Sequence, residues 1–203
     1  EQRLLTINPY SRPNKKIGTI RNIVIHWVGN AGSSAIANRN YFESLKDKKA
    51  YASSHYIIGL EGEIIQCVPE TEVAYHGNSA NSCSIGIENC HPDWNGKFND
   101  KTYKSLIDLC VDLCKRYQLE PSTALIRHYD VTKKDCPHYY VKNEYEWIKF
   151  KSDVAAAMSN EDVELSRAVS KIINSGININ FNQWKRTDLI NLNNVPSLLM
   201  KLG

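Results

Sequence analysis

The run RHYDVTKKDCPH, from Arg127 to His138, brings a histidine, a lysine and a cysteine together in a segment without helical or strand periodicity. An apolar approach precedes it, Ala124-Leu125-Ile126, which is typical of a short strand that ends beside His128. Cys136 follows on the next loop. An imidazole at a strand end and a thiolate on the following loop can reach one ion, and zinc takes such nitrogen and sulfur ligands. The run therefore indicates a metal site that still needs a third ligand.

A candidate for that third ligand lies in IRNIVIHWVGN, from Ile20 to Asn30. Its β-branched centre, residues 23–25, predicts a buried strand that ends near His26. One histidine at a strand end is more often a satisfied core residue than a ligand. The balance changes with SIGIENC, residues 84–90, where Glu88 interrupts an otherwise apolar strand. An acid in such a strand needs a partner or a chemical purpose.

With SSHYIIGLEGEIIQCVPE (residues 53–70) and AYHG (residues 74–77), these motifs resemble the zinc-dependent N-acetylmuramoyl-L-alanine amidases of type 2. Peptidoglycan recognition proteins and several phage endolysins share that fold. The resemblance runs in order from about Ile20 to Val154. It implies a peptidoglycan hydrolase that holds one Zn²⁺ per chain and cleaves the amide bond between N-acetylmuramic acid and L-alanine.

The resemblance also implies roles for individual residues. The implied zinc ligands are His26, His128 and Cys136, where many family members have Asp as the third ligand. The implied catalytic residues are Glu88 and Lys134. The implied substrate-binding residues are His76, Asn89 and Arg127. Cys136 in particular has a polar, loop-borne setting with a nearby lysine, which suits a thiolate.

Two other classes of function stay open at this point. A structural zinc protein needs a fourth protein ligand, for which His91 and His138 are the nearby candidates. A non-catalytic peptidoglycan-binding module on the same fold is expected to lack a ligand, whereas this chain keeps all three.

Composition and charge limit the partners and the compartment. The chain has 203 residues, 42% of them hydrophobic and 23% charged, which is typical of a globular protein. Its net charge of +3 gives no argument for nucleic acid and weakly favours an anionic surface such as a bacterial wall. No apolar run approaches the roughly 20 residues that span a bilayer, so membrane insertion is not expected.

The first residues contain no apolar core of the signal-peptide type. We therefore expect synthesis in the cytoplasm and action on the wall after release, as for a phage endolysin, with a bacterial autolysin as the alternative. Six cysteines are then expected as free thiols. Cys110 and Cys114 share one face of a predicted helix, where buried small hydrophobic residues are favoured over a second metal pair.

The overall pattern predicts an α/β fold with a mixed central sheet and helices on both faces. Strands are expected near His26, in a hairpin over residues 54–69, at 73–77, at 84–90 and at 124–129. Helices are expected over residues 33–49, 99–117 and 144–158. Residues 1–19 are expected to form an irregular arm.

Composition changes after Met158, which divides the chain into a predicted amidase domain, residues 1–158, and a small helical C-terminal module, residues 159–203. Gly176 and Pro196 break the module into about three helical pieces. A segment this short rarely folds alone. It is expected to dock on the amidase, to pair with a second copy as a homo-oligomer, or to target the wall; a stabilising appendage is an equal alternative.

Overall fold

The computed structural model describes the backbone of residues 1–174 and the side chains of residues 1–160. Five strands form one sheet in the order β3-β2-β4-β1-β5. Their bounds are Asn22–Trp27 (β1), Tyr56–Ile58 (β2), Ile64–Gln66 (β3), Ser84–Asn89 (β4) and Leu125–Arg127 (β5). Strands β2, β4, β1 and β5 run parallel, and β3 pairs antiparallel with β2. The predicted mixed α/β sheet is confirmed.

The helices follow the predicted order, with three short helices added between the second and third long ones. Their bounds are Ala35–Lys48 (α1), Asp100–Tyr117 (α2), Pro121–Ala124 (α3), His128–Thr132 (α4), His138–Lys142 (α5) and Glu144–Asn174 (α6), with a 3-10 helix at Asn78–Ser82. Side-chain oxygens start the two long early helices, because Ser34 accepts from the amide of Ala37 and Asn99 from that of Thr102.

Side-chain alternation gives the sheet two different faces. The residues of β1 and β4 at 23, 25, 85 and 87 are isoleucines that are essentially inaccessible to solvent. On the other face, α1 covers the β2–β3 end, where Phe42 and Leu45 join Ile57 and Ile65 in one apolar cluster. The β4–β1–β5 end of that second face carries the polar candidates His26 and Glu88.

The N-terminal arm is irregular, as predicted, but it is attached to the sheet. The amide of Arg3 donates to the carbonyl of Gln66, and the amide of Leu5 donates to that of Cys67. Leu5 is buried in the α1 cluster. The arm therefore continues the hydrogen bonding of the sheet beyond β3.

Two predicted elements are wrong in detail. Residues 73–77 do not form a strand, because their amides bond to the Lys15 carbonyl, the Ser53 hydroxyl and the Asn81 side chain. The helix predicted to end at Met158 continues to Asn174, since no glycine or proline interrupts residues 159–174. The predicted helical pieces beyond residue 174 lie outside the described residues.

Two compact units are distinguished, Glu1–Ala155 and Ala156–Gly203. The first contains the whole sheet and all the candidate site residues. The predicted division into an amidase domain and a C-terminal module stays a prediction. Through residue 174, no helix combines the length and apolar character needed to cross a membrane.

Candidate metal centre

The candidate residues lie in one transverse row across the sheet. His26 of β1 is the register partner of Glu88 in β4, and Glu88 is in turn the partner of Ile57 in β2. On the other side, Ile25 pairs with Arg127, the last residue of β5, so His128 follows beside His26. Parallel strands in register direct paired side chains to the same face. The row therefore brings His26, His128 and Glu88 together at the open end of the second face.

Cys136 joins this row through the loop that follows α4. The amide of Tyr129 donates to the carbonyl of Cys136, and the amide of Cys136 donates to that of Lys134. These bonds close the loop and return the thiol to the ends of the strands.

The two histidines and the cysteine offer three ligand atoms within 4.8 Å of one another. His26 Nδ1 lies 3.7 Å from Cys136 Sγ. Nitrogen and sulfur ligands of one tetrahedral zinc lie roughly 3.5 Å apart, given the usual bond lengths. The spacing of these atoms fits a zinc ion without rearrangement of the backbone.

Unpartnered polar atoms point to the same place. Within residues 1–160, the buried side-chain atoms that lack a hydrogen-bond partner are Glu88 Oε2, Asn89 Oδ1 and His128 Nδ1. Burying a polar atom without a partner is unfavourable. Two of these three atoms belong to the row, and a cation bound by His128 Nδ1 would remove the cost of one of them.

The protonation of the imidazoles also suits a metal. Burial, with the nearby charge of Lys134, lowers the pKa of His128 to about 4. Burial and the neighbouring His76 and His128 hold the pKa of His26 well below its usual range. Both rings are therefore neutral near pH 7, the form that binds metal.

Cys136 differs from its prediction. The side chain is 3% exposed, and burial together with the Glu88 carboxyl raises the pKa of its thiol to about 12. Cys136 lies on a loop, as the sequence predicts, but its setting is buried because the loop folds inward over the strand ends. A thiolate at this position requires a cation beside it, which is consistent with the ligand set.

Glu88 lies on the same row with one carboxyl oxygen shielded from solvent. Burial raises the pKa of Glu88 to about 8, although the charge of Lys134 opposes the rise. A carboxyl group whose pKa is near the ambient pH can both accept and return a proton. The exposed Lys134 lies on the loop after α4, and both residues line a cleft of about 800 Å³ that also contains the three candidate ligands.

The three predicted substrate-binding residues lie in different places. His76 lines the cleft, but the residue is only 9% exposed and its Nδ1 lies 3.2 Å from His26 Nε2. Asn89 and Arg127 are not among the residues that line it, and their assignment as substrate-binding residues stays a prediction. The Asn89 amide donates to the carbonyls of His26 and Ile87, and is buried among strand ends.

Arg127 is committed to the protein itself. Its guanidinium pairs with Asp130 and Glu144 and donates to the carbonyl of Tyr140. It therefore ties the strand end before His128 to α5 and α6.

Neither alternative fourth ligand joins the three. His91 directs both ring nitrogens at backbone carbonyls, those of Val28 and Asp93. His138 pairs with Asp135 and stacks on Trp27. Within the described residues, the ligand cluster consists of three protein groups, which leaves one position of a tetrahedral site for a small molecule.

A family model described as N-acetylmuramoyl-L-alanine amidase matches residues 16–139, the segment that contains every residue of the row. The chain belongs to this amidase family.

Relatives and solved structures agree with that assignment. A "Probable N-acetylmuramoyl-L-alanine amidase" of Bacillus licheniformis is 34% identical over 176 residues, which cover 80% of this chain and 49% of the relative. BlyA of Bacillus subtilis (strain 168) is 33% identical over 179 residues, covering 78% and 47%. The chain thus spans about half the length of these curated relatives. A mutant endolysin from Bacillus subtilis superposes with a TM-score of 0.63 at 24% identity, over 75% of this chain and 96% of that one, and shows the shared fold.

Two residues of this family member escaped the sequence reasoning. Trp27 lies between His91 and His138, stacked on both rings, and also lines the cleft. Ser84, fully buried at the start of β4, lies beside the ring of His76. Trp27 could have been suspected because it directly follows His26, whereas nothing in the sequence distinguishes Ser84 from an ordinary strand residue.

Proposed function

We propose that this protein hydrolyses the amide bond between N-acetylmuramic acid and the L-alanine of the stem peptide in bacterial peptidoglycan, with one zinc ion per chain. The observation that carries the proposal is the convergence of His26, His128 and Cys136 at a cleft that also contains Glu88. Membership of the amidase family supports the substrate class.

Zinc held by these three residues would supply a Lewis acid for the carbonyl and would lower the pKa of a bound water to about 7. The remaining work falls to the protein. Glu88 takes a proton from the attacking water as the new carbon–oxygen bond forms. It then returns that proton to the nitrogen of alanine as the carbon–nitrogen bond breaks. The products are a free lactyl carboxylate on the sugar and a stem peptide with a free amino terminus.

Lys134 provides positive charge at the same place. Its exposed ammonium group lies close enough to depress the pKa of Glu88 and His128. In the proposed reaction it donates a hydrogen bond to the carbonyl oxygen as negative charge develops there, and removing one such donor typically costs about 100- to 1000-fold in rate.

A structural zinc site and a non-catalytic wall-binding module are the competing functions. Against the first, His91 and His138 are engaged elsewhere, so the fourth position has no histidine to fill it within the described residues. Against the second, the buried Oε2 of Glu88 lies unpartnered beside the three proposed ligands, where a binding module has no need for it.

The test is chemical analysis of purified peptidoglycan after digestion. Amidase activity releases stem peptides with amino-terminal alanine and leaves glycan strands with free lactyl carboxylates, and mass spectrometry identifies both. Cleavage within the peptide or between sugars would contradict the proposal. A binding module would sediment with the wall and release neither product. The zinc content of the same preparation tests the proposed metal separately from the proposed activity.

The wider setting belongs to the same proposal. We infer that the protein acts on the cell wall as a phage-type lysis enzyme, and that residues 159–203 raise its concentration there. The test compares the activity of the full chain with that of a chain ending at Met158, on intact walls and on small soluble muropeptides. Selective loss on walls supports targeting, equal loss on both substrates supports a stabilising role, and light scattering reports pairing of copies.

A further inference from the structure

His76 lies at the centre of a buried hydrogen-bonded chain that begins at a proposed zinc ligand. Its Nδ1 faces His26 Nε2 at 3.2 Å, and its Nε2 faces the hydroxyl of Ser84 at 3.4 Å. The hydroxyl of Ser84 in turn lies 2.6 Å from the carbonyl oxygen of Ala80. His26 uses its other nitrogen, Nδ1, toward Cys136. The chain therefore runs from the ligand cluster to a backbone carbonyl.

The last member of the chain fixes the direction of every hydrogen bond in it. A carbonyl oxygen can only accept, so the Ser84 hydroxyl donates to Ala80 and presents a lone pair to His76. Nε2 of His76 then carries the hydrogen, and its Nδ1 accepts from Nε2–H of His26. That leaves Nδ1 of His26 with a free lone pair on the side of Cys136 and His128.

The fold makes room for this ring and holds it in place. A Cβ atom at position 86 would lie 2.4 Å from Cγ of His76, so Gly86 is required beneath the imidazole. The amides of His76 and Gly77 both donate to the side chain of Asn81, at 3.0 and 2.6 Å. Because the imidazole packs on Gly86 and its own backbone is held by Asn81, the ring has little freedom to rotate toward another hydrogen-bond partner.

We propose that His76 is a positioning residue, which with Ser84 selects the Nε2–H tautomer of His26 and orients its Nδ1 for the metal. This inference rests on the proposed zinc site. A hydrogen bond to the second nitrogen of a metal-bound histidine is a general way to fix tautomer and orientation, and its loss typically lowers metal affinity about 10- to 100-fold. In this protein the acceptor is itself a neutral histidine, His76, which is oriented in turn by Ser84.

Three variants of the full chain separate positioning from packing. His76→Leu removes the acceptor but keeps an apolar side chain of moderate size. His76→Asn places an amide oxygen near the position of Nδ1 and can still accept from His26. Ser84→Ala leaves His76 in place and removes the group that sets its tautomer.

The first readout is zinc affinity, measured by competition with a chromogenic chelator. We expect about a 10- to 100-fold loss in His76→Leu, and an affinity within a few-fold of the parent in His76→Asn. Ser84→Ala is expected to fall between them. The second readout is the visible spectrum of the Co²⁺-substituted protein, whose ligand-field bands should shift in His76→Leu and remain in His76→Asn.

The inference would be overturned if either His76→Leu or Ser84→Ala bound zinc as tightly as the parent. It would also be overturned if His76→Asn lost as much zinc affinity as His76→Leu while its melting temperature was unchanged. If His76→Leu does not fold, the Ser84→Ala affinity decides, with no loss counting against the inference. Failure of the parent chain to bind zinc would contradict the proposed function and this inference with it. If the parent bound zinc normally and the variants bound it equally well, only the positioning role of His76 would be contradicted.

Discussion

His26 and Glu88 are register partners on the parallel strands β1 and β4, so a proposed metal ligand and the proposed proton carrier stand side by side on one face of the sheet. Neither side chain depends on a mobile loop for its position. The relation between ligand and acid is thus set by the hydrogen-bond ladder of two central strands, and only Cys136 and Lys134 arrive from a loop.

Replacing the proposed third ligand, Cys136, should abolish zinc binding. In Cys136→Ser the hydroxyl is a much weaker zinc ligand than a thiolate, so we expect loss of stoichiometric zinc and of wall hydrolysis. Cys83→Ser is the matched control, because Cys83 is a partly exposed free cysteine that is not among the three ligands. Metal analysis after gel filtration measures the result. Full zinc occupancy in Cys136→Ser would show that the ligand set is wrong.

Glu88→Gln should separate metal binding from turnover. The amide keeps the shape of the side chain but cannot carry a proton, so we expect normal zinc content and a rate reduced about 100- to 10,000-fold. Glu61→Gln serves as the control at an exposed glutamate. Steady-state hydrolysis of a soluble muropeptide gives the rates. Stoichiometric loss of zinc from Glu88→Gln would instead place Glu88 among the ligands.

Lys134→Met tests the proposed donor to the carbonyl oxygen. We expect kcat to fall about 100-fold or more while KM changes little, because the hydrogen bond strengthens only as charge develops. Lys133→Met is a close control, since Lys133 also lines the cleft but lies over the ring of Tyr129. Equal losses in both variants would point to a general effect of positive charge on substrate binding.

Glu70 should contribute acid-sensitive stability far from the metal. Burial by itself would raise the pKa of Glu70, but hydrogen bonds from Arg116, Tyr117 and Tyr56 outweigh it and lower the pKa to about 2. A carboxyl group with a depressed folded-state pKa stabilises the protein above its unfolded value of 4.5, and that contribution is lost as pH falls toward 2.

Glu70→Gln should therefore lower the free energy of unfolding by about 2 kcal/mol at pH 7. The difference from the parent chain should shrink steadily below pH 4.5. Urea denaturation of parent and variant at several pH values measures this difference, with Glu61→Gln as the control. Effects of pH on the proposed metal ligands are common to parent and variant and cancel in the difference. A gap between parent and variant that is constant from pH 7 to pH 3 would contradict the assignment.

Strand ends carry a strong sequence pattern, which indicates where the residues of this row lie on the sheet. Apolar runs that stop at His26 and His128, and a single acid in the strand of Glu88, place polar groups at sheet ends before any coordinates are known. The mixed sheet followed from the same runs. These features depend on local periodicity, which a sequence displays directly.

Other properties depend on contacts between distant segments and could not be predicted. The burial of Cys136 follows from a bond between its carbonyl and the amide of Tyr129. The engagement of Arg127 needs Glu144, which lies on α6. The hydrogen bond between His26 and His76 needs the space above Gly86, and a glycine in a strand does not reveal what fills that space. The helix predicted over residues 144–158 is too short, because the change of composition after Met158 does not end α6.

The attachment of the N-terminal arm has a consequence for self-association. Strand β3 lies at the border of the sheet, where unpaired amides and carbonyls can recruit a strand from another molecule and start aggregation. Here the carbonyls of Gln66 and Cys67 already accept from Arg3 and Leu5, and the buried Leu5 anchors the segment that makes those bonds. The arm thus shields the border from intermolecular strand addition, so a polar substitution of Leu5 should favour β-rich aggregates.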